Sequence, residues 1–425
     1  MNHHRQKKTM KHIVRLIAFT SPLLLFSCPL LLFNGCVDYS DATTAVSVKV
    51  QLQMPAEFTK GSDFEGHTVH LSLNGTTTQT ATTDANGMVE FSHLIPDVYD
   101  LSTSWDISDA EYESLTGEKP QGSGCTVSGS INSTFIKDEG SVITLPTNVA
   151  VKRDIVISKI ASAGSKDQNN RYYMAGKYME LYNQSSDTTD ISALYIGLLD
   201  STNPQPFTLA NLHDAYNDSV VLVKQVFQIP EGAKPIAPGQ AVVLTNSATD
   251  HSDVSATEQD LRDADYEAKD PTGNTINNPH TPALLSIYSS TGNGATMNLV
   301  QGGPCGIIIF RTDEDIKSWQ KTYAYGKTTG SQLYLLVPKR VILDGVDYMK
   351  NKPTGIDLSA KRLYNDIDAG FTHINAYNGW TGEVVYRRTA KVMPNGQKIL
   401  TDTNNSSNDF KVSTTIKPRE YDDEN

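Results

Sequence analysis

The chain has 425 residues, 38% of them hydrophobic and 20% charged, which is enough for a sizeable core and for two or three domains of about 100–200 residues each. Its formal net charge is −12, and residues 1–35 contain five basic and no acidic side chains, so the remainder is more acidic, with 31 Lys and Arg against 48 Asp and Glu. Such a surface repels nucleic-acid phosphates, and we therefore expect no nucleic-acid partner.

The first predicted element is a cleaved secretion signal. Five basic residues precede an apolar stretch at 16–33, which is the order of regions in a signal peptide. Prolines and hydroxyl residues interrupt this stretch, and no basic segment follows it. A membrane-spanning helix needs about 20 apolar residues in a row, so we expect export rather than a retained membrane helix.

Two cysteines end the apolar stretch, each after a small residue, as the lipid-accepting cysteine of bacterial lipoproteins is. Cleavage before Cys28 would leave an apolar run at 29–33 exposed, whereas cleavage before Cys36 removes the whole stretch. We therefore predict a signal at 1–35, a lipid on Cys36 and a tether at 36–45, with Cys28 as the alternative. The lipid predicts a membrane partner and an outer-membrane lipoprotein at the cell surface, or one facing the periplasm.

The next segment alternates apolar and polar residues, as a half-buried strand does. Val46, Val48 and Val50 fall on one face of the segment 46–54. A second strand with the same alternation follows, then a turn at 84–87 and an L-x-P-x-x-Y phrase at 94–99. This order resembles the transthyretin-like or carboxypeptidase-regulatory-like β-sandwich. The resemblance implies a sandwich at 46–150 that acts as a spacer and carries no catalytic residues.

A larger β domain is predicted at 151–415, built from short apolar strands near 155–160, 178–182, 193–199, 241–244 and 306–310. An acidic stretch predicts a helix at 256–267 inside an insertion at about 250–305. The charged segment 416–425 predicts a disordered tail.

The second domain resembles the lamin-tail domain, an immunoglobulin-like β-sandwich. It departs from that family at Ser192-Ala193-Leu194-Tyr195, where the family has Ser-Gly-Trp, and in the insertion at about 250–305. The whole layout resembles uncharacterised Bacteroidota surface lipoproteins. The predicted fold class is all-β, with two Ig-like or transthyretin-like sandwiches in tandem, the second larger and with a partly helical insertion. The matching residues are Ile155-Val156-Ile157-Ser158, Tyr178-Met179-Glu180-Leu181-Tyr182-Asn183, Asp190-Ile191-Ser192, Ile229-Pro230, Pro238-Gly239-Gln240, Ile342-Leu343-Asp344 and 402–410.

Motifs for catalysis are absent from the sequence: it has no nucleophile elbow, no zinc-protease helix and no phosphate-binding loop. We expect neither enzyme activity nor a cofactor. The run 402–409 spaces its oxygens like a calcium loop, but Ser407 replaces the required Gly and Ser413 the bidentate Glu, so no metal is expected. Glu180, flanked by apolar residues in a predicted strand, is assigned a structural hydrogen-bonding role.

Two cysteines remain in the predicted mature chain besides Cys36. Cys125 and Cys305 can pair as a disulfide in an oxidising compartment, or remain buried thiols, and the sequence alone leaves both alternatives open.

Three Asp-Ser/Thr patterns match the O-glycan acceptor pattern of Bacteroidota exported proteins, and their acceptors are Thr188, Ser201 and Ser219. This expectation depends on the family resemblance.

Aromatic residues in loops are the predicted ligand contacts, because sugar-binding surfaces commonly use exposed aromatic platforms. The candidates are the pair Tyr172 and Tyr173 and, near the end of the domain, Tyr377 and Trp380, with burial in the core as the alternative.

Together these features predict a non-catalytic, lipid-anchored envelope protein. Its expected role is that of a ligand- or receptor-binding accessory of an outer-membrane uptake system, with a TonB-dependent receptor as the partner. Adhesion or a structural envelope role is the alternative, and a hydrolase with an unrecognised site is third.

Overall fold

The computed structural model describes residues 44–73, 76–117, 125–151, 154–205, 210–292 and 294–423. The predicted signal and both candidate lipidation sites, Cys28 and Cys36, lie outside these residues. Among the helices that the structure describes, none is long and apolar enough to cross a membrane.

The N-terminal part is a β-sandwich of a three-stranded and a five-stranded sheet. The strand orders are β4-β1-β7 and β3-β2-β5-β6-β8, and every pairing is antiparallel except the parallel pair β1 and β7. The elements are β1 (Val46–Gln53), β2 (Thr68–Leu73), β3 (Thr76–Thr82), β4 (Met88–Leu94), β5 (Asp97–Ile107), α1 (Asp109–Thr116), β6 (Cys125–Ile136), β7 (Ser141–Pro146) and β8 (Asn148–Val151).

The core of this sandwich comes from the inward face of alternating strands. In β1, Val48, Val50 and Leu52 are buried, while the side chains between them are partly or fully exposed. They pack with Leu71 of β2 and Phe91 of β4 in one apolar cluster. Burial of apolar side chains stabilises the sandwich by roughly 1.5–3 kcal/mol for each large residue.

The C-terminal part is a larger sandwich of a six-stranded and a seven-stranded sheet. The strand orders are β16-β15-β12-β9-β22-β25 and β19-β20-β14-β13-β18-β21, with β17 paired to β14. The elements are β9 (Ile155–Ala161), β10 (Ser165–Lys166), β11 (Tyr172–Tyr173), β12 (Tyr178–Asn183), β13 (Tyr195–Leu199), α2 (Ala210–Tyr216), β14 (Val220–Gln228), β15 (Ala241–Thr245), β16 (Tyr266–Glu267), β17 (Leu285–Ser289), β18 (Cys305–Phe310), β19 (Lys321–Tyr323), β20 (Leu333–Pro338), β21 (Ile342–Tyr348), β22 (Val384–Arg387), β23 (Thr389–Val392), β24 (Lys398–Leu400), α3 (Ser406–Asp409) and β25 (Phe410–Ser413), with 3-10 turns at Ile316–Ser318, Lys339–Val341 and Leu358–Ala360.

Both faces of the two larger sheets are covered. One apolar cluster fills the space between them and includes Leu181 of β12 and Ile307 of β18. A second cluster covers the outer face of the seven-stranded sheet, and a third, which includes Tyr178, Leu261 and Ile416, covers the outer face of the six-stranded sheet. Every residue of β9, β12, β13, β15 and β18 is therefore buried.

The prediction of an all-β fold of sandwich type is confirmed. The described residues all belong to one compact unit that begins at Thr44. The hydroxyl of Ser130, in the N-terminal sandwich, donates to the carbonyl of Ala369 in the C-terminal one at 2.8 Å. The division into two domains that fold independently stays a prediction.

The predicted helix at 256–267 is wrong. The segment consists of turns that lead into β16, where Tyr266 and Glu267 pair in parallel with β15. Glu267 is fully buried, and its carboxylate accepts the main-chain N–H groups of Ala248 and Asn278. An acidic stretch is typical of a solvated helix face, but Glu267 joins two loops instead, and the described residues of the insertion at 250–305 form no helix.

The predicted disorder of 416–425 is also wrong for the described residues of that segment. Ile416 and Tyr421 are buried, and the Tyr421 hydroxyl donates to Glu180 at 2.8 Å. The ammonium group of Lys159 donates to the carbonyls of Lys417 and Glu420 at 2.6 and 3.1 Å. The segment is ordered because it supplies the remaining hydrogen-bond partners of the buried ion pair between Lys159 and Glu180. The structural role assigned to Glu180 is confirmed.

A buried arginine joins three carboxylates where β22 meets the end of the domain. Arg387 is 2% exposed, and its guanidinium donates to Asp344 at 3.1 Å, to Asp402 at 3.2 Å and to Asp409 at 3.0 Å. Its Nε–H donates to the carbonyl of Ile157 at 2.8 Å. Asp402 and Asp409 belong to the run that resembled a calcium loop, and their partner is this guanidinium.

Buried carboxyl groups make the stability depend on pH. Burial raises the pKa of Asp368 to about 6 and that of Asp409 to about 7 from the ordinary value of 3.8. At these two groups the folded protein binds more protons than the unfolded chain between about pH 4 and 7, so they make the free energy of unfolding fall as the pH rises through this range. We expect a lower free energy of unfolding at pH 8 than at pH 5.5, measured by urea titration.

The Asp368→Asn variant provides the control for this pH dependence. Its side chain cannot ionise, so the difference between the two pH values should shrink even where the variant is less stable overall. A difference as large as that of the unmodified protein would contradict the assignment.

Candidate functional site

Two of the four predicted ligand-contact aromatics lie together on the surface. Tyr172 of β11 is 67% exposed, and Trp380 lies in the loop before β22. Their ring centroids are 4.3 Å apart, with the planes tilted by 32°. We refer to this pair as the aromatic platform. Its two residues are remote in sequence and meet because the loop after β9 pairs with the loop before β22.

Trp380 is held in an unusual backbone conformation. Its φ is +64°, a left-handed value that is costly for a bulky side chain and that persists only where the surroundings enforce it. Its N–H donates to the carbonyl of Ala163 at 2.9 Å. The indole lies against Gly164, where an added Cβ would come within 3.0 Å of the ring. The position of the indole is therefore set by the fold rather than by side-chain freedom.

The other two predicted aromatics do not join the platform. The hydroxyl of Tyr173 lies 2.6 Å from Nδ1 of His251. Since His251 Nε2 faces the carbonyl of Ser247 at 2.9 Å, Nε2 carries the proton and Nδ1 accepts from the tyrosine. Tyr173 therefore anchors β11 to the rest of the domain. Tyr377 is 52% exposed and is not in ring contact with either platform residue.

A small cleft of about 20 Å³, with room for about one water molecule, opens beside the platform. Its walls include Gly164, which supports the indole of Trp380, and Met174, two residues beyond Tyr172. Tyr178 and Glu258 supply polar groups to the cleft. The sequence interpretation did not single out either residue, because Tyr178 begins a buried strand and Glu258 lies in the acidic stretch that was expected to be a helix.

Glu258 is the acidic group of the cleft. Its carboxylate lies against the main chain of Gly176, where an added Cβ would overlap it, so a larger residue at this position would displace the carboxylate. Burial raises the pKa of Glu258 above the ordinary value of 4.5. The carboxyl group can thus accept hydrogen bonds when ionised and donate one when protonated.

Tyr178 provides a phenol without a partner. Its side chain is buried, at 1% exposure, and within the described parts of the chain no hydrogen-bond partner reaches its hydroxyl. Burial raises its pKa well above the ordinary value, so the group is neutral and keeps its proton. A buried polar group without a partner is uncommon and requires an explanation.

The arrangement as a whole suits binding. The exposed ring of Tyr172 offers an apolar contact beside a small cleft that a carboxyl group and a buried phenol line. Among the described residues, no group of three or more His, Cys, Asp and Glu side chains is placed to hold a metal ion.

Cys125 and Cys305, for which the sequence leaves a disulfide and buried thiols open, do not form a disulfide. Cys125 begins β6 in the N-terminal sandwich and Cys305 begins β18 in the C-terminal one, and both are buried thiols. Of the two alternatives, the structure therefore has buried thiols and not the disulfide. Burial raises the pKa of the Cys305 thiol to about 12, which keeps it protonated and poorly nucleophilic.

The predicted glycosylation acceptors differ in exposure. Thr188 and Ser219 are exposed, whereas Ser201 is half-buried. Their modification stays a prediction.

Comparison with known proteins gives two findings. A family model described as "Protein of unknown function (DUF4876)" matches residues 237–417, which include Glu258 and Trp380. The crystal structure of a DUF4876 family protein from Bacteroides thetaiotaomicron matches with a TM-score of 0.53 and 18% sequence identity, over 86% of this chain and 94% of that chain. No curated protein matches. At this identity the structural likeness supports the fold alone.

Proposed function

We propose that this protein is a non-catalytic, lipid-anchored binding protein of the cell envelope whose ligand contacts the aromatic platform. The observation that carries the proposal is the contact between the exposed ring of Tyr172 and the half-buried indole of Trp380, whose backbone is held in a left-handed conformation. An exposed aromatic ring that stacks on a tryptophan in a costly conformation is better explained by binding than by stability.

The proposed setting is an outer-membrane uptake system, in which the protein assists a TonB-dependent receptor. In this proposal the N-terminal sandwich is a transthyretin-like or carboxypeptidase-regulatory-like spacer, and the C-terminal one is a lamin-tail-like domain that presents the platform. The signal pattern at 1–35 and the resemblance to Bacteroidota surface lipoproteins support this setting. Adhesion to a surface is the alternative use of the same platform.

The anchor is tested by labelling with a palmitate analogue. We expect the label on the full chain to be lost in Cys36→Ala and retained in Cys28→Ala, because cleavage before Cys36 removes the whole apolar stretch. The two variants are matched, since both remove one cysteine that follows a small residue. Label that persists in Cys36→Ala and disappears in Cys28→Ala would assign the lipid to Cys28 instead.

The uptake role is tested by co-purification. The tagged full chain is cross-linked in cells and purified from detergent-solubilised membranes, and its partners are identified by mass spectrometry. We expect a TonB-dependent receptor to be recovered with the unmodified chain, and with much lower yield for Cys36→Ala, which should not reach the membrane. Recovery of no receptor with the unmodified chain would contradict the uptake role.

A further inference from the structure

We infer that one end of the N-terminal sandwich contacts the lipid bilayer directly, with the side chains of Ile95, Val98 and Phe135 inserted at the boundary of headgroups and acyl chains. This inference rests on the proposed lipid anchor at Cys36 and names the surface with which the anchored protein faces the membrane. Such contact needs an exposed apolar surface, a position close to the anchor, and freedom from the rest of the protein.

The exposed large apolar side chains in the described part of the N-terminal sandwich all lie at one end of it. Val98 of β5 and Phe135 of β6 are cross-strand partners and are 45% and 59% exposed. Ile95, in the turn between β4 and β5, is 64% exposed, and Val142, the second residue of β7, is 60% exposed. We refer to Ile95, Val98 and Phe135 as the apolar end. Exposed apolar clusters of this kind are typical of surfaces that contact a membrane or another protein.

The apolar end is also where the chain enters the sandwich. Val46, at the start of β1, pairs with Leu94, the residue just before Ile95. The N–H of Ser47 donates to the carboxylate of Glu139 at 2.6 Å, so the turn between β6 and β7 lies there as well. The start of the first strand and the exposed apolar side chains therefore share one end of the sandwich.

The length of the chain before the sandwich limits how far this end can lie from a lipid anchor. Thr44, the first described residue, is eight positions after Cys36. Eight residues reach at most about 29 Å in a fully extended chain. A lipid on Cys36 would therefore hold the apolar end near the bilayer, and it would favour the orientation in which this end meets the lipid, because that orientation removes apolar side chains from water.

The C-terminal sandwich does not cover the apolar end in the part of the chain that the structure describes. It meets β6 at Ser130, whose hydroxyl donates to the carbonyl of Ala369 at 2.8 Å, whereas Phe135 is the last residue but one of that strand. The turn at this end is also fixed, because the hydroxyl of Tyr99 donates to the carbonyl of Ile95 at 2.8 Å. The surface is therefore free to contact lipid and is held in shape by the sandwich.

The charges at this end indicate lipids without net charge. Asp97, Asp138 and Glu139 lie in or next to its turns, where Lys137 is the one basic residue. These carboxylates would repel anionic headgroups, so the attraction must come from burial of the apolar side chains. We therefore expect contact with a zwitterionic bilayer and little dependence of that contact on salt.

Fluorescence quenching on the lipidated full chain tests this contact. The chain is reconstituted in phosphatidylcholine vesicles and isolated by flotation, and Val98→Cys or Ala85→Cys carries an environment-sensitive fluorophore on the new thiol, since Cys125 and Cys305 are buried. Ala85 is exposed in the turn at the opposite end of the same sandwich. We expect spin-labelled lipid to quench the label in Val98→Cys about threefold more than in Ala85→Cys, because an inserted side chain lies about 5–10 Å into the bilayer boundary.

Removal of the apolar neighbours provides a second test. Ile95→Ser combined with Phe135→Ser should leave the unfolding midpoint nearly unchanged, because both side chains are exposed, and should reduce the quenching of Val98→Cys about threefold. Ile276→Ser combined with Tyr325→Ser is the matched control, since it removes an exposed isoleucine and an exposed aromatic ring from the C-terminal sandwich. The control should keep the quenching, and unchanged quenching in the first pair would contradict the contact.

Flotation separates this inference from the anchor. If the chain floats with the vesicles but Val98→Cys is quenched no more than Ala85→Cys, the contact fails and the anchor stands. A blue-shifted label in Val98→Cys without quenching would show that protein, such as a second copy of the chain, covers the surface, and it would also overturn the contact. If the chain does not float, the anchor and the contact fail together.

Discussion

Replacing Arg387 by Met is expected to lower the free energy of unfolding by about 3–5 kcal/mol, or to prevent folding altogether. Methionine fills similar space but supplies no charge and no hydrogen-bond donors. The variant removes the guanidinium that contacts Asp344, Asp402 and Asp409. In this buried site the three carboxyl groups must then repel one another or take up protons.

The size of this effect follows from burial. The side chains of Arg387, Asp344 and Asp409 are at most 5% exposed, so water cannot replace the lost cation. The cluster also bridges elements, because Asp344 accepts the N–H of Ile157 at 2.6 Å and Asp409 accepts the hydroxyl of Thr403 at 2.6 Å. Loss of this cluster would therefore destabilise β9, β21 and the end of the domain at the same time.

Two controls define this prediction. Arg340→Met removes an arginine whose ion pair with Glu314 is exposed on both sides, and it should change stability by less than about 1 kcal/mol. Arg387→Lys keeps the charge but lacks the fork that serves several carboxylates at once, so it should fall between Arg387→Met and the unmodified protein. Urea titration at neutral pH measures all three, and equal effects of Arg387→Met and Arg340→Met would contradict the account.

The alternation of apolar and polar residues predicts the N-terminal strands well, because each of those strands buries only one face. In β1 the inward residues Val48, Val50 and Leu52 are the apolar ones, and the polar residues between them point away from the core. The C-terminal strands are covered on both faces, so β12 and β18 show no alternation and only their apolar runs indicate strands. Their order and pairing depend on contacts between segments distant in sequence.

The two errors, the helix at 256–267 and the disordered end, share a cause: a charged segment in a sequence looks solvated whether or not its residues have partners. Glu267 in the insertion is fully buried and accepts two main-chain N–H groups, and Arg419 of the terminal segment pairs with Asp263 and Asp265 of the insertion. The amino-acid composition shows which residues are charged, but not which groups they pair with in the folded protein. The candidate site could be predicted only in part. Aromatic residues in loops can be identified from the sequence, but the contact between Tyr172 and Trp380 depends on the fold.

A chain that ends after Thr415 is expected to lose on the order of 5 kcal/mol of stability, or to remain unfolded. The truncation removes Ile416 and Tyr421 from apolar clusters. It also removes the groups that satisfy a buried ion pair: Lys159 and Glu180 lie 3.3 Å apart with both side chains at 0% exposure. Without the segment, water must enter the site or the pair must stay unsatisfied.

Finer variants show which part of the segment matters. Tyr421→Phe keeps the ring but removes the hydroxyl that donates to Glu180 and lies 2.7 Å from Ser158, and it should cost about 1–3 kcal/mol because a buried carboxylate loses a donor. Asp423→Ala is the matched control within the same segment, since Asp423 is 80% exposed in its pair with Lys398. This change should cost less than about 1 kcal/mol.

The ion pair itself provides the decisive comparison, measured by urea titration. Lys159→Met alone should destabilise the full chain by about 3–5 kcal/mol, whereas Lys159→Met combined with Glu180→Leu should recover much of that loss, because the double variant leaves no unpaired buried charge. In the truncated chain the double variant should also be more stable than truncation alone. If truncation leaves the unfolding midpoint unchanged, the terminal segment does not hold the pair, and the stability of this part of the sandwich must come from its sheets alone.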